Sequence, residues 1–424
     1  MTAAAEPPAA EPSVAEFGPS DFTYLHSDGP GAPAHWGMLL TLADGEPLTL
    51  DAVRLRVADR VGRYELFRVG VRGGRDEAPE IVVADVVDVP AHVTEVHFDG
   101  DVAVPVAALL EQPLPQPRPY WHLTLLTSPD TQHVLLKVHH SLSDGIAGAA
   151  FSALLADGSD DDLASFDRFA TSPRFRVGDP DEDVLATARA AFEKQWTDGA
   201  EGRAWPTLTG HGRRETAVFS ASTRALRRAA RAHDASVHEF LIAAIGRAVS
   251  IAPPASDGPQ SSNIRVTLPV TLDPEFRHTG NAVAVSLLNL PGDDADLASQ
   301  IAHARSELAL IDEGRLGLAL AAVDGAPPIE WSDMRTIVAE SMKRMSPDIH
   351  IGINPGFTRV HAVLGRDIAE LTALSPLIGY SFSVTGLILG NRTTLGIVAD
   401  PDALPGYPAR FVEVLTEVIA AASA

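Results

Sequence analysis

Apolar and polar positions along the chain change period repeatedly, and each change marks an element. HWGMLLTL (35–42) has the apolar density of a buried strand, while LDAVRLRVADRVGRYELF (50–67) carries apolar residues at helical spacing with charge on its other face. EIVVADVVDVPAHV (80–93) is valine-rich and bounded by proline, which predicts a strand and a turn. WHLTLLTS (121–128) and TQHVLLKVHH (131–140) flank the turn dipeptide Pro129-Asp130 and predict a hairpin, and IAGAAFSALLA (146–156) then reads as helix. Further on, residues 184–197, 222–234, 237–250 and 296–310 have helical patterns, whereas 263–272, 282–291, 380–390 and 393–400 read as strands. A last helix from Ala409 places Phe411, Leu415, Val418 and Ile419 on one face. Strands and helices alternate in both halves, which points to two α/β lobes of similar size.

The breaks between these patterns set the expected domain boundaries. Residues 1–19, rich in Ala, Pro and Glu, lack the basic start and apolar stretch of a secretory signal and read as a disordered lead-in. Residues 20–160 form an N-terminal lobe and 216–424 a C-terminal lobe, joined by a linker or crossover over 161–215. The acidic stretch from Asp157, including the run to Asp162, reads as solvated linker. Apolar runs such as FLIAAIG (240–246) fall far short of the ~18 residues of a membrane span, so no transmembrane segment is expected.

Charge and composition narrow the classes. With 56 acidic against 33 basic residues the chain carries a net charge of -23, which argues against a nucleic-acid partner and disfavours anionic lipid headgroups. The absence of cysteine removes disulfides, thiolate catalysis and thiolate-bound metals, and is compatible with a cytoplasmic location.

One stretch carries chemistry: VLLKVHHSLSDGIAGAAF (134–151). Strand alternation puts Leu136, Val138 and His140 on one face and Lys137 and His139 on the other. His140 thus ends a strand among buried aliphatics, a position that holds an imidazole rigidly at a cleft, where a neutral ring works as a general base. Asp144 suits a turn-fixing or capping role, or a partner for a distant cation. Gly145, without a Cβ, allows close substrate approach and leaves its N–H available. His139 reads as a hydrogen-bonded structural residue. A shared metal is disfavoured because adjacent strand residues face opposite ways. The sequence contains no GxSxG elbow, P-loop, HExxH or strand-linked GxGxxG.

His139-His140-x-x-x-Asp144-Gly145 resembles the HHxxxDG signature of the coenzyme A-dependent acyltransferase superfamily, which includes chloramphenicol acetyltransferase-like enzymes and peptide-synthetase condensation domains. Other segments are similar to the wax ester synthase/diacylglycerol acyltransferase family. They are SDFTYLHSDGPGAPAHWG (20–37), PLPQPRPYW (113–121), LPVTLDPEFRHTGNAVAVSLLNLP (268–291), INPGFTRVHAVLGRDI (353–368) and the C-terminal SPLIGYSFSVTGLILGNRTTLGIVADPDALP. The sequence departs from the family pattern at Pro115, at His238-Glu239 in place of a paired Asn-Asp, and at INPGF in place of NVPGP.

The resemblance implies an α/β fold of two chloramphenicol acetyltransferase-like lobes, each a mixed sheet flanked by helices, with an active-site tunnel between them. It implies acyl transfer from a thioester, either acyl-CoA or an acyl carrier protein, to an alcohol or amine, small molecule or lipid. His140 would be the general base, with no acyl-enzyme, no permanently bound cofactor and no metal. Gly145 N–H and a second-lobe group such as His238 or Asn281 would stabilise the oxyanion. Arg265 would pair with Asp144, and Arg118 and Trp121 would line a channel mouth, although a Trp beside a Pro-rich turn is more often plain packing, and His238 reads equally as a helix-surface residue. The Arg-rich face around Arg224, Arg227, Arg228 and Arg231 is one candidate place for a carrier protein, the alternative being a plain solvated helix. The acidic charge favours a soluble role in specialised metabolism over a lipid O-acyltransferase making wax esters or triacylglycerol at a lipid surface. A non-catalytic, condensation-like scaffold is the rival from another class: an open tunnel faced by His140 favours the enzyme, and a plugged cleft or a His140 packed away favours the scaffold.

Overall fold

Two six-stranded sheets organise the computed structural model of the chain, which describes residues 14–73, 77–116, 118–176, 181–197, 205–255, 262–293, 296–314, 330–354, 356 and 361–423. In chain order the strands are β1 (His35–Leu42), β2 (Val69–Arg72), β3 (Glu80–Val83), β4 (Val93–His97), β5 (Trp121–Thr127), β6 (Gln132–His139) and β7 (Glu215–Ser222). They continue with β8 (Asn263–Thr271), β9 (Val283–Pro291), β10 (Ile349–Ile353), β11 (Ala362–Val363), β12 (Arg366–Leu374), β13 (Phe382–Leu389) and β14 (Arg392–Ala399). The first sheet is ordered β11-β12-β1-β6-β5-β4 and the second β7-β14-β13-β10-β8-β9, with β2 and β3 as a separate ribbon. Both large sheets are mixed: β4 lies parallel to β5, and β10 lies parallel to β13 and β8. The fold is therefore α/β with two mixed-sheet lobes.

The expected hairpin forms, with β5 antiparallel to β6 and Thr127 opposite Gln132. β6 is buried along its whole length because it lies between β1 and β5 and is covered on both faces. In the second lobe the helix Val237–Ile251, apolar around most of its circumference, lies behind the sheet among Phe411, Leu415 and Ile397 of one core.

The structure corrects four local expectations. Residues 362–374 do not stay with the C-terminal lobe: β12 crosses to the first sheet and pairs antiparallel with β1, from Gly37 opposite Leu374 to Leu42 opposite Ile368. Strand pairing over such a distance leaves no trace in a local period. The lead-in to residue 19 is ordered from Val14, since Val14 and Phe17 are buried and Arg174 lies over the Phe17 ring at 4.1 Å; residues 1–13 lie outside the described residues. The acidic run is structured as well. Ser159 and Asp162 form a capping box on Asp160–Ala164, Asp157 pairs with Arg56 at 2.8 Å, and Leu163, Phe166 and Phe169 are buried. Other parts of the expected linker, 177–180 and 198–204, lie outside the described residues. Finally, the stretch after the motif is a 3-10 helix, Ala147–Leu154, whose small residues let it lie against β1: a Cβ on Gly148 would come 2.7 Å from the Trp36 ring.

The lobes meet closely where β12 passes the second sheet. Thr394 donates to the Leu371 carbonyl at 2.5 Å, Ser375 and Thr385 hydroxyls lie 2.7 Å apart, and a Cβ on Gly396 would overlap the Ala373 carbonyl. A small apolar cluster joins Leu39, Leu135 and Leu374 of the first sheet to Val398 of the second. This seam fixes the space between the lobes.

Candidate active site at the lobe junction

His140 is the first residue past β6. Its backbone N–H donates to the Ala34 carbonyl at 2.8 Å, which continues the β1–β6 ladder and ties the turn to the sheet. Its ring lies flat on Tyr24, with centroids 3.7 Å apart and planes 9° from parallel. Across the junction, Asn281 Oδ1 lies 3.1 Å from His140 Nδ1. The Asn281 amide nitrogen donates to the His140 carbonyl and to Asp21 Oδ1, each at 2.8 Å. Since both of those partners only accept, Asn281 Oδ1 is the remaining acceptor and His140 Nδ1 carries the proton. The lone pair is then on Nε2. Burial pushes the His140 pKa down to about 3, against the raising effect of the Asn281 hydrogen bond, so the ring is neutral at physiological pH.

Asp21 anchors this arrangement. It receives the Asn281 backbone N–H at 3.0 Å and pairs with the buried Arg174 at 3.0 Å. Arg174 in turn donates to the carbonyls of Ser141 and Leu142, just after the histidine pair. A helix in the first lobe, the crossover and the second lobe thereby converge on one imidazole. Neither Asp21 nor Arg174 was singled out from the sequence, although Asp21 stands in the similar N-terminal segment.

Asp144 fixes the turn, but not through an arginine. One carboxylate oxygen accepts the N–H groups of Ile146 and Ala147 at 2.8 Å each, and the other accepts Ala282 N–H from the second lobe at 2.9 Å. Burial raises its pKa while these three donors pull it back. Arg265 is not brought to it: Arg265 is buried on β8, with its backbone N–H on Asp348 at 2.7 Å, and backbone donors have filled the place expected for the cation. His139 is structural in geometry. Its Nδ1 accepts the Ser141 N–H at 3.2 Å, and Nε2 faces Asp28 at 3.7 Å.

Other expected residues lie elsewhere. His238 is exposed at the start of the helix Val237–Ile251, because Glu239 completes a capping box with Ser236 and pairs with Arg305 at 3.0 Å. Trp121 is fully buried and donates to the Phe67 carbonyl at 2.7 Å, which makes it core and not a channel lining. Arg118 is exposed beside it. Asn281 spends its whole amide on His140 and Asp21 and has no donor left for an oxyanion. Of the INPGF segment, residues 355 and 357 lie outside the described residues.

His140, Asp144 and Gly145 border a cavity of about 170 Å³ lined by both lobes, space for roughly ten waters. Trp36, Met38, Val283, Val285 and Leu387 make much of its wall apolar. Asn354 and His350 also line it, and sequence reasoning missed both. A Cβ on Gly145 would stand 3.1 Å from Asn354 Nδ2, so the missing side chain keeps that amide against the turn. Among the described residues, no group of three or more His, Asp or Glu is arranged to hold a metal, and no helix is long and apolar enough to cross a membrane.

Two mixed-sheet lobes around an HHxxxDG histidine define the acyltransferase class that includes chloramphenicol acetyltransferase-like enzymes and condensation domains. Solved structures share the fold. A wax ester synthase/diacylglycerol acyltransferase from Marinobacter aquaeolei VT8 is 17% identical, with a TM-score of 0.65 over 96% of this chain and 98% of that one. The TRI3 trichothecene 15-O-acetyltransferase from Fusarium sporotrichioides is 12% identical, with a TM-score of 0.68 over 96% and 94%. The first condensation domain of the CDA synthetase is 16% identical, with a TM-score of 0.57 over 96% and 95%. Comparison with curated protein sequences gives no match. The model of the wax ester synthase/diacylglycerol acyltransferase catalytic domain matches residues 17–240, and the chain belongs to that family of acyltransferases.

Proposed function

We propose that the chain transfers an acyl group from a thioester, acyl-CoA or a carrier-bound thioester, to an alcohol or amine, with His140 as the general base. The observation that supports this reading is the contact of His140 Nδ1 with Asn281 Oδ1 beside the cavity: Asn281, held by Asp21, accepts the hydrogen bond from Nδ1–H, which leaves the Nε2 lone pair for a ligand. His140 Nε2 takes the proton of the acceptor hydroxyl or amine as its oxygen or nitrogen attacks the thioester carbonyl. The tetrahedral oxyanion is stabilised by the Asn354 amide and the Gly145 N–H, donors of two residues that line the cavity. Collapse breaks the carbon–sulfur bond, and the departing thiolate takes the proton back from Nε2. The products are an ester or amide and a free thiol, with no covalent enzyme intermediate.

An open cavity with His140 on its lining favours this reading over a non-catalytic scaffold, for which a plugged cleft or a His140 packed away is expected. The apolar wall suits the acyl chain and is equally compatible with a lipid acceptor. The helix Thr223–Ala232 buries Leu226, Ala229 and Ala230 and turns Arg224, Arg227, Arg228 and Arg231 outward, a basic face suited to an acidic carrier protein or the phosphates of coenzyme A. The test is thiol release from a panel of acyl-CoA donors with alcohol, diacylglycerol and amine acceptors, products being identified by mass spectrometry. A thiol reagent reads only the product, because the chain has no cysteine. His140→Ala should abolish release while the protein stays folded. Wild-type turnover in that variant would refute the mechanism.

A further inference from the structure

The proposed transfer leaves the imidazole of His350 unused. His350, on β10, lines the same cavity as His140 from the second lobe. Its ring lies nearly parallel to Tyr380, with centroids 5.1 Å apart and an interplanar angle of 11°, much as His140 lies on Tyr24. Its Nδ1 lies 3.1 Å from Thr267 Oγ1, and Thr267 Oγ1 reaches the Ile349 carbonyl at 3.4 Å. With the Thr267 hydroxyl proton assigned to the Ile349 carbonyl, the Thr267 oxygen accepts from His350 Nδ1–H. The Nε2 lone pair is thereby set free for a ligand. Gly352 keeps the space beside it open, since a Cβ there would stand 3.3 Å from Nε2. Burial pushes the His350 pKa down to about 4, so the imidazole is a neutral acceptor at physiological pH.

Resting on the acyl-transfer reading of this cavity, we propose that His350 is a specificity residue whose Nε2 accepts a hydrogen bond from a second hydroxyl or amine of the acyl acceptor. The acceptor class is then a diol, polyol or amino alcohol instead of a simple fatty alcohol. A site built around a fixed polar group disfavours the analogue lacking its partner, because the buried acceptor is left unpaired. The same lone pair would also take an amide N–H from the pantetheine arm of a thioester, and the experiment separates these sources.

The full chain is assayed with octanoyl-CoA and with a truncated octanoyl thioester, using 1-octanol and octane-1,2-diol as matched acceptors. The wild type should prefer the diol by about 10-fold or more in kcat/KM with either donor. His350→Leu should erase that preference, through the KM for the diol, while 1-octanol changes by no more than about twofold. His350→Gln, whose side-chain oxygen still accepts, should keep it. Thr267→Val, which no longer fixes the tautomer, should weaken it by about threefold and covers the case in which His350→Leu does not fold. An unselective wild type, equal losses for both acceptors in His350→Leu, an unchanged preference in Thr267→Val, or an effect that follows donor truncation would overturn the proposal. If instead neither acceptor is acylated, or His140→Ala retains turnover, the transfer reading itself fails and takes this proposal with it.

Discussion

Replacing Asn281 by Ala removes three side-chain hydrogen bonds at once: to His140 Nδ1, to the His140 carbonyl and to Asp21. The first two are neutral pairs at about 1 kcal/mol each, and the third, to a carboxylate, is of order 1.5–3 kcal/mol. Asp21 retains Arg174 and the backbone N–H of residue 281, so the low end applies and the total loss is about 3.5 kcal/mol. That is a substantial part of the usual 5–15 kcal/mol of a domain, yet compatible with a folded protein at about 25 °C. Turnover should fall further than stability alone explains. Without Asn281 Oδ1 the imidazole proton is no longer held on Nδ1, and a general base of this kind contributes about 10²–10⁴-fold. A drop of about 10- to 100-fold in kcat, with KM moving less than about threefold, is expected. Guanidinium denaturation gives the first quantity, and thiol release under saturating donor gives the second. A destabilised variant that turns over at the wild-type rate would refute the tautomer argument. One that is inactive and fully stable would refute the hydrogen-bond accounting.

Arg174→Met should cost about 3–5 kcal/mol in denaturant titrations, because it strands the Asp21 carboxylate in the interior. Adding Asp21→Asn to it should recover part of that loss, and no recovery would place the cost elsewhere. Among the described residues, burial lowers seven histidines from 6.5: His140 to about 3, His26, His122 and His350 to about 4, and His35, His92 and His133 in the same direction. The folded chain refuses protons that the unfolded chain binds below 6.5, so their contribution is complete above that pH and is lost as the pH falls towards 4 and 3. His140 and His350, both enclosed by protein, each add up to about 1.4 kcal/mol per pH unit in that window, and the less enclosed His26 adds less. Urea midpoints should therefore drop between about pH 7 and pH 5, and a flat or rising trend would contradict the burial argument. Gly148→Ala forces the Trp36 ring away and strains its 3.1 Å bond to the Ser143 carbonyl, which should lower the melting point by a destabilisation of about 1–3 kcal/mol. It should also reduce kcat/KM for bulky acyl donors; equal activity across donor sizes would show that Trp36 does not bound the acyl path.

Local order decided much of what the sequence revealed. The β5–β6 hairpin, β1 and the helix Val237–Ile251 follow from spacing that a short window contains. The HHxxxDG turn was legible too, because its histidine and aspartate stand four residues apart on one strand exit. Their surroundings were not. Asn281 could be named from the family segment, but its partners could not, since Asp21 lies 260 positions away and His140 lies 141 positions away. His238 and Glu239 illustrate the opposite error: a family position suggested chemistry where the helix start uses Glu239 as a cap. Arg265 looked like a suitable cation for Asp144, yet three backbone N–H groups satisfy that carboxylate first.

By itself, then, the sequence determined the elements, the alternation of strand and helix, the absence of thiol chemistry and the residue at which a base would sit. Only the tertiary structure decided that β12 joins the first sheet, that Asp144 fastens the lobes through Ala282, that Asp21 and Arg174 stand behind His140, and that His350 shares its cavity. The physical reason is range. Hydrophobic periodicity is imposed by backbone geometry a few residues at a time, whereas a hydrogen bond across a lobe junction is chosen by whatever donor the whole packed chain delivers there.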